Sequence, residues 1–263
     1  MKRTIWLVII VVVLVAGAAI YYDWLPGRKA LEAPHQEVLP LPSSPPVVSV
    51  EPAIRHPIET APVQALPLLG ESDAAMQKAL GDLVGSKWLA EFFYADRVIR
   101  RIVATIDELP RKKVPMSAMP VKPVPGAFVT SGTADSVVIG AKNSARYAPY
   151  VKIMQALDAR KLVEFYVGFY PLFQQAYEEL GYPKGYFNDR LIETIDNVLD
   201  APDLKEPARL VQPKVLYKFA DPDLEARSAG QKIIMRMGSE NAAKVKDKLR
   251  EIRHEVVLRA PSQ

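Results

Sequence analysis

The sequence predicts a mainly α-helical domain, with a small β-hairpin, behind one transmembrane helix and a disordered Pro-rich linker. Three observations lead there. Ile5 to Tyr22 is an uncharged run of 18 residues behind Lys2 and Arg3, which as a helix covers about 27 Å of hydrocarbon. Leu25 to Gly70 then holds ten of the 23 prolines and no apolar period able to build a core. From Glu71 onward, apolar residues recur at helical spacing between cap and stop signals.

The first run reads as an anchor (1–24) with Lys2 and Arg3 kept in the cytoplasm and the remainder exported, a bacterial inner-membrane protein with a periplasmic C-terminal domain. A cleaved signal peptide is the competing reading, because Ala16-Gly17-Ala18 is a small-x-small site. Tyr21, Tyr22 and Trp24 favour retention, since aromatic residues belong at the outer interface. The tether (25–70) includes Leu39-Pro40-Leu41-Pro42 and Pro45-Pro46. As polyproline II its 46 residues would reach roughly 140 Å at about 3.1 Å per residue. It reads as a spacer, with a docking site for a proline-reading partner as the alternative.

Within the domain (71–258), Ser72 is the expected N-cap of a helix Asp73 to Val84, stopped by Gly85. A short helix follows over Trp88 to Phe93, and Asp96 is placed to cap Arg97 to Leu109, closed by Pro110. Prolines 115, 120, 123 and 125 predict an extended surface crossing from Lys112 to Gly126. Phe128 to Ser131 and Val137 to Ile139 read as a hairpin. Helices are expected next over Ser144 to Leu157, over Ala159 to Leu180 behind Asp158 with a kink at Pro171, and over Asn188 to Leu199 capped by Asn188. An extended passage, Leu210 to Phe219, leads to a helix from Asp221-Pro222 to Met237 and a last one, Glu240 to Val257, capped by Ser239.

Three words recur in the same order in the two halves. Leu89-Ala90-Glu91-Phe92-Phe93 answers to Leu162-Val163-Glu164-Phe165-Tyr166, and Val121-Lys122-Pro123 to Val211-Gln212-Pro213. Between them, Arg101-Ile102-Val103-Ala104-Thr105-Ile106-Asp107 answers to Arg190-Leu191-Ile192-Glu193-Thr194-Ile195-Asp196. The pattern fits an internal duplication, pseudo-repeats 72–139 and 144–219 ahead of a helix pair 221–258, with about 16 residues inserted near Gly168 to Gly185. Chance resemblance of amphipathic helices, which share residue types, is the alternative.

Composition narrows function by exclusion. With no cysteine, disulfides, thiolate nucleophiles, sulfur-ligated metals and N-terminal lipidation are ruled out. The net charge of +4 is mild and suits envelope polymers better than nucleic acid. His254 is the one histidine in the domain, so a Ser-His-Asp triad or multi-His metal centre is not expected; no phosphate loop appears, and no cofactor is implied. The basic stretch Arg97, Arg100, Arg101, Arg111, Lys112, Lys113 and Lys122 is a candidate surface for anionic polymer, whereas Lys244, Lys246, Lys248, Arg250 and Arg253 read as a solvated face.

The distinctive stretch is the insertion. Tyr166, Tyr170, Phe173 and Tyr177 fall on one helical face, with Glu178, Tyr182 and Asp189 nearby. Such a face can stack on sugar rings, making Tyr166, Tyr170, Tyr177, Glu178, Tyr182 and Asp189 the candidate ligand-binding set; a packed core is the plainer reading. Glu178 or Glu179 with Asp189 or Glu193 is the one constellation that would suit glycoside hydrolysis.

The words Arg100 to Asp107, Ala145 to Tyr150, Tyr170 to Tyr182 and Gly185 to Leu191 together resemble an uncharacterised bacterial family, over essentially Leu66 to Ile252. The resemblance implies single-span proteins with a Pro-rich tether and a domain of unknown function, and it carries no catalytic residue. The expectation is a membrane-tethered periplasmic binding, scaffold or adaptor protein of the cell envelope whose partners are envelope proteins or wall glycan. The alternative is a wall-glycan enzyme or glycan-binding module.

Overall fold

A computed structural model describes residues 53–58, 66–133 and 136–259. The expected anchor and most of the tether lie outside them, and no helix among the described residues is long and apolar enough to cross a membrane. The elements in order are α1 (Asp73–Val84), α2 (Ser86–Phe92), α3 (Val98–Glu108), β1 (Thr130–Thr133), β2 (Ser136–Ile139), α4 (Ala141–Gln155), α5 (Ala159–Glu179) and α6 (Phe187–Leu199). They continue with β3 (Arg209–Val211), β4 (Lys218–Phe219), α7 (Pro222–Glu225), α8 (Ala229–Arg236) and α9 (Ser239–Leu258). α9 packs on α4, α5, α6 and α8, while α3 lies against α5 and α6.

Helix ends explain much of this arrangement, because each end leaves backbone groups that need partners. The Asp73 carboxylate, at the start of α1, accepts from the N–H groups of Arg97 and Val98 at 2.7 and 2.9 Å, so α3 is capped from another helix. The expected cap, Asp96, instead pairs with Arg101, whose hydrogen bond holds its carboxyl below the usual range. Ser72 precedes α1 as expected, yet its hydroxyl donates backwards to the Leu69 carbonyl.

At the other end of α3, Pro110 has no N–H for the Ile106 carbonyl, and the Thr194 hydroxyl supplies the donor at 2.9 Å. Arg190 donates to the Asp107 carbonyl, Gly230 to that of Leu109 and Ala229 to that of Arg111. The C-terminus of α3 is thus closed by α6 and by the N-terminus of α8. A Cβ at Gly230 would fall 2.7 Å from Val198 Cγ2, so this approach requires glycine. It also breaks the continuous helix expected over Asp221 to Met237. Ser228 and Gln231 form a capping box held by Asn197, starting α8 afresh.

Other expectations change once burial is seen. The 112–126 crossing buries Val114, Met119, Val121 and Val124, because the prolines remove donors while leaving the side chains free to pack. The hairpin is real, with Thr130 opposite Ile139, and it grows into a four-stranded antiparallel sheet ordered β1-β2-β3-β4. The passage Leu210 to Phe219 is the second hairpin of that sheet. Lys246 and Lys248 of the supposedly solvated face are buried, donating to the carbonyls of Ala201 and Leu157 beyond the ends of α6 and α4. Pro171 sits inside α5, which runs unbroken from Ala159 to Glu179 behind the expected Asp158 cap.

Candidate functional site

The aromatic face of α5 points inward. Tyr166, Tyr170, Phe173 and Tyr177 keep 1, 4, 0 and 6% of their surface, so the rings expected to stack on a sugar already pack on protein. Phe173 stacks on Phe187 at 5.8 Å, Tyr177 on Tyr182 at 4.6 Å, and Tyr166 meets Tyr170 edge-on at 5.5 Å. Burial raises the Tyr166 and Tyr170 hydroxyls well above the ordinary tyrosine range and that of Tyr177 to about 12. The plainer of the two expectations for this stripe is the one the packing supports.

The polar groups among these rings organise the start of α6. Gln174 Oε1 accepts from the Phe187 N–H at 2.8 Å and from the Tyr170 hydroxyl, while its amide donates to the Gly185 carbonyl and to Glu178. A side chain of α5 therefore satisfies the first N–H of α6, the role expected of Asn188. Asn188 is fully buried and turned elsewhere: its Oδ1 accepts from the Tyr166 hydroxyl at 3.1 Å, which leaves its amide facing outward as a donor.

That donor has a partner in residues 53–58, within the stretch expected to be a tether. The Asn188 amide donates to the His56 carbonyl at 2.9 Å, and the Asp189 carboxylate accepts from the Arg55 N–H at 3.0 Å and the His56 N–H at 2.7 Å. The Tyr186 hydroxyl accepts from the Ile58 N–H at 2.8 Å, and the Ile58 side chain is buried in the main core. Residues 53–58, expected to lie in a disordered linker, form a docked peptide, and Leu69 further along is buried as well. Among the described residues, four hydrogen bonds hold the peptide, all to its main chain and all from side chains at the first turn of α6. Asp189 also lies where the helix dipole favours a negative charge.

The remaining candidates divide between this place and a neighbouring ionic centre. Tyr182 donates to Asp107 at 3.1 Å and accepts from Arg111 at 2.7 Å. Asp107, 3% exposed, also holds Arg190 at 3.0 Å and Arg111 at 2.7 Å. Glu178 is exposed beside Gln174, Glu179 pairs with Arg100 at 2.5 Å, and Glu193 pairs with Arg190. Each carboxylate of the hydrolase constellation is thus tied to a structural partner. Among the described residues, no group of three or more His, Cys, Asp or Glu is arranged to hold a metal ion.

Most of the basic stretch is similarly occupied. Arg101 donates to the Ser117 and Met119 carbonyls, Lys112 to that of Ala226 and Lys122 to that of Ala90. Sequence reasoning singled out Asp189 but missed Asn188 as a recognition group and missed the 53–58 segment altogether. The available signal was Ile58, a branched apolar residue behind His56-Pro57 in an otherwise unpatterned linker.

The chain belongs to the family described as "Protein of unknown function (DUF3014)", whose model matches residues 98–253. No curated protein and no solved structure matches it. The matched span opens on the first residue of α3 and ends within α9. It includes Tyr186, Asn188 and Asp189, whereas the docked segment comes from outside it.

Proposed function

We propose that this chain is a membrane-tethered binding protein of the bacterial cell envelope, acting as a scaffold or adaptor from the periplasmic side. The observation that carries the binding reading is the first turn of α6, where three side chains grip a bent peptide through its main chain. Main-chain recognition by fixed side chains is a device of peptide-binding modules. The membrane and periplasmic parts rest on the uncharged run behind Lys2 and Arg3 and on the Pro-rich composition that follows. The glycan alternative loses its support, because the aromatic face it needs is closed by protein.

In-cell crosslinking of the full chain, followed by mass spectrometry, tests the reading. Recovery of a defined envelope protein, at sites on the folded domain, is the expected result. Crosslinks confined to the chain itself, or wall-glycan turnover by the purified protein that disappears in a folded Glu178→Gln variant, would overturn it. C-terminal reporter fusions test the topology separately: activity only in the cytosol would reject export.

A further inference from the structure

We infer that the surface at the start of α6 is a peptide-binding site for a bent X-X-Pro-aliphatic segment, and that residues 55–58 are its cis-bound occupant, holding it closed to other peptides. The inference deepens the binding reading above by naming the ligand class and its regulation.

The contacts define what is read. The N–H groups used belong to Arg55, His56 and Ile58, and the carbonyl used is that of His56. The N–H that goes unread is at position 57, where proline has none to offer. Two non-proline residues, a position free to be proline, and an apolar residue with its own N–H are therefore what the site requires. The apolar anchor is Ile58, which is buried, while Ile54 remains half exposed. Recognition is thus set by backbone pattern and one side chain, and other segments of that pattern can meet it.

The receptor side is held by contacts that do not involve the peptide. The Tyr166 hydroxyl fixes the Asn188 amide, Gln174 fixes the helix start, and Asp189 is the third residue of α6. The segment makes no backbone-to-backbone hydrogen bond with the domain among the described residues, unlike Val121, which bridges to Phe93. The site lies inside the family span and its occupant outside. An occupant carried on the same chain has a high effective concentration, so a free peptide competes poorly until the cis segment leaves.

The test uses the full-length protein in detergent and a fluorescein-labelled synthetic peptide of residues Glu51 to Thr60, read by anisotropy. A full-length variant with Ala53 to Ile58 replaced by glycine and serine should bind the peptide saturably. Adding Asp189→Ala to that variant should weaken binding at least tenfold, and the wild-type chain should bind at least tenfold more weakly than the replaced one. Equal binding by wild type and variant, equal binding of a scrambled peptide, or no saturable binding by a variant that melts as the wild type does would overturn the inference.

Should the replaced variant fail to fold, hydrogen exchange on the wild-type chain decides. The amides of Arg55, His56 and Ile58 should be protected and should lose protection when excess unlabelled peptide is added. Free exchange at the outset, or protection unmoved by peptide, would refute exchangeable cis occupancy. Crosslinking to an envelope protein at another surface would leave the adaptor reading standing even then.

Discussion

The helices α3 and α6 carry the same word, Arg-x-x-x-Thr-Ile-Asp, and the structure puts the two copies to related but unequal use. In both, the arginine and threonine donate to main-chain carbonyls of a neighbouring segment: Arg101 and Thr105 to residues 117–119, Arg190 and Thr194 to the end of α3. Both threonines are fully buried. The aspartates differ. Asp107 is enclosed with Arg190, Arg111 and Tyr182, whereas Asp196 pairs with Arg253 and its side chain keeps 45% of its surface. The third word departs further, since Val121 bridges to Phe93 within the first word but Val211 pairs with Lys218. A shared helix motif thus yields a buried ionic hub in one place and a half-exposed pair in the other.

The difference can be broken most directly at Asp107. Asp107→Ala removes the carboxylate shared by two arginines and a tyrosine, though Arg190 keeps the residue-107 carbonyl and Glu193, so urea denaturation should show a loss at the lower end of about 3–5 kcal/mol. A loss no greater than that of Asp196→Ala would mean the two copies are equivalent after all.

The aromatic side of α5 is probed by pH. Burial lifts Tyr177 in the folded state to about 12, above the value near 10 of an unfolded tyrosine. Its contribution is therefore fully present below pH 10 and is lost as pH rises through 12, because the unfolded chain releases its proton first. The urea midpoint should fall across that window, and Tyr177→Phe should flatten the fall. An unchanged slope would show that Tyr177 titrates as if in water.

Thr194→Val should cost about 1–3 kcal/mol, since the Ile106 carbonyl then faces Pro110 without a donor. Thr105→Val, which frees the Ala118 carbonyl in a loop nearer solvent, should cost less. A reversed order in paired denaturation curves would contradict the assignment of Thr194 as the cap of α3. The smallest effect is expected for Asp196→Ala, at most ~1 kcal/mol, as for other exposed pairs. Differential scanning calorimetry in low and high salt would check it, because what little is lost should shrink with screening.

Much of the α architecture is legible in the residues because helix signals are local. Gly85 and Gly238 stop helices with φ of +87°, and Asp158 caps α5 through the Lys161 N–H. The caps that misled are those met from a distance. Asp73 displaced Asp96, and Gln174 displaced Asn188, because a carboxylate or amide from a packed neighbour reaches an orphan N–H as well as an adjacent one does. The candidate site was half legible. Asp189 stood out as an acid near aromatic residues, but its partner is about 130 residues away in sequence and lies in a stretch whose composition hid it.

By itself, the sequence determined the mainly helical class, the order of nearly all helices and the first hairpin, while Leu210 to Phe219 was legible only as an extended passage. Periodicity, proline and glycine act within a few residues and leave their mark in the string. Tertiary structure alone decided which face of α5 is inside, that Asp107 rather than Asp196 is the buried hub, and that residues 55–58 lie against the start of α6. These depend on which distant groups can approach to hydrogen-bond distance, and no local pattern encodes that.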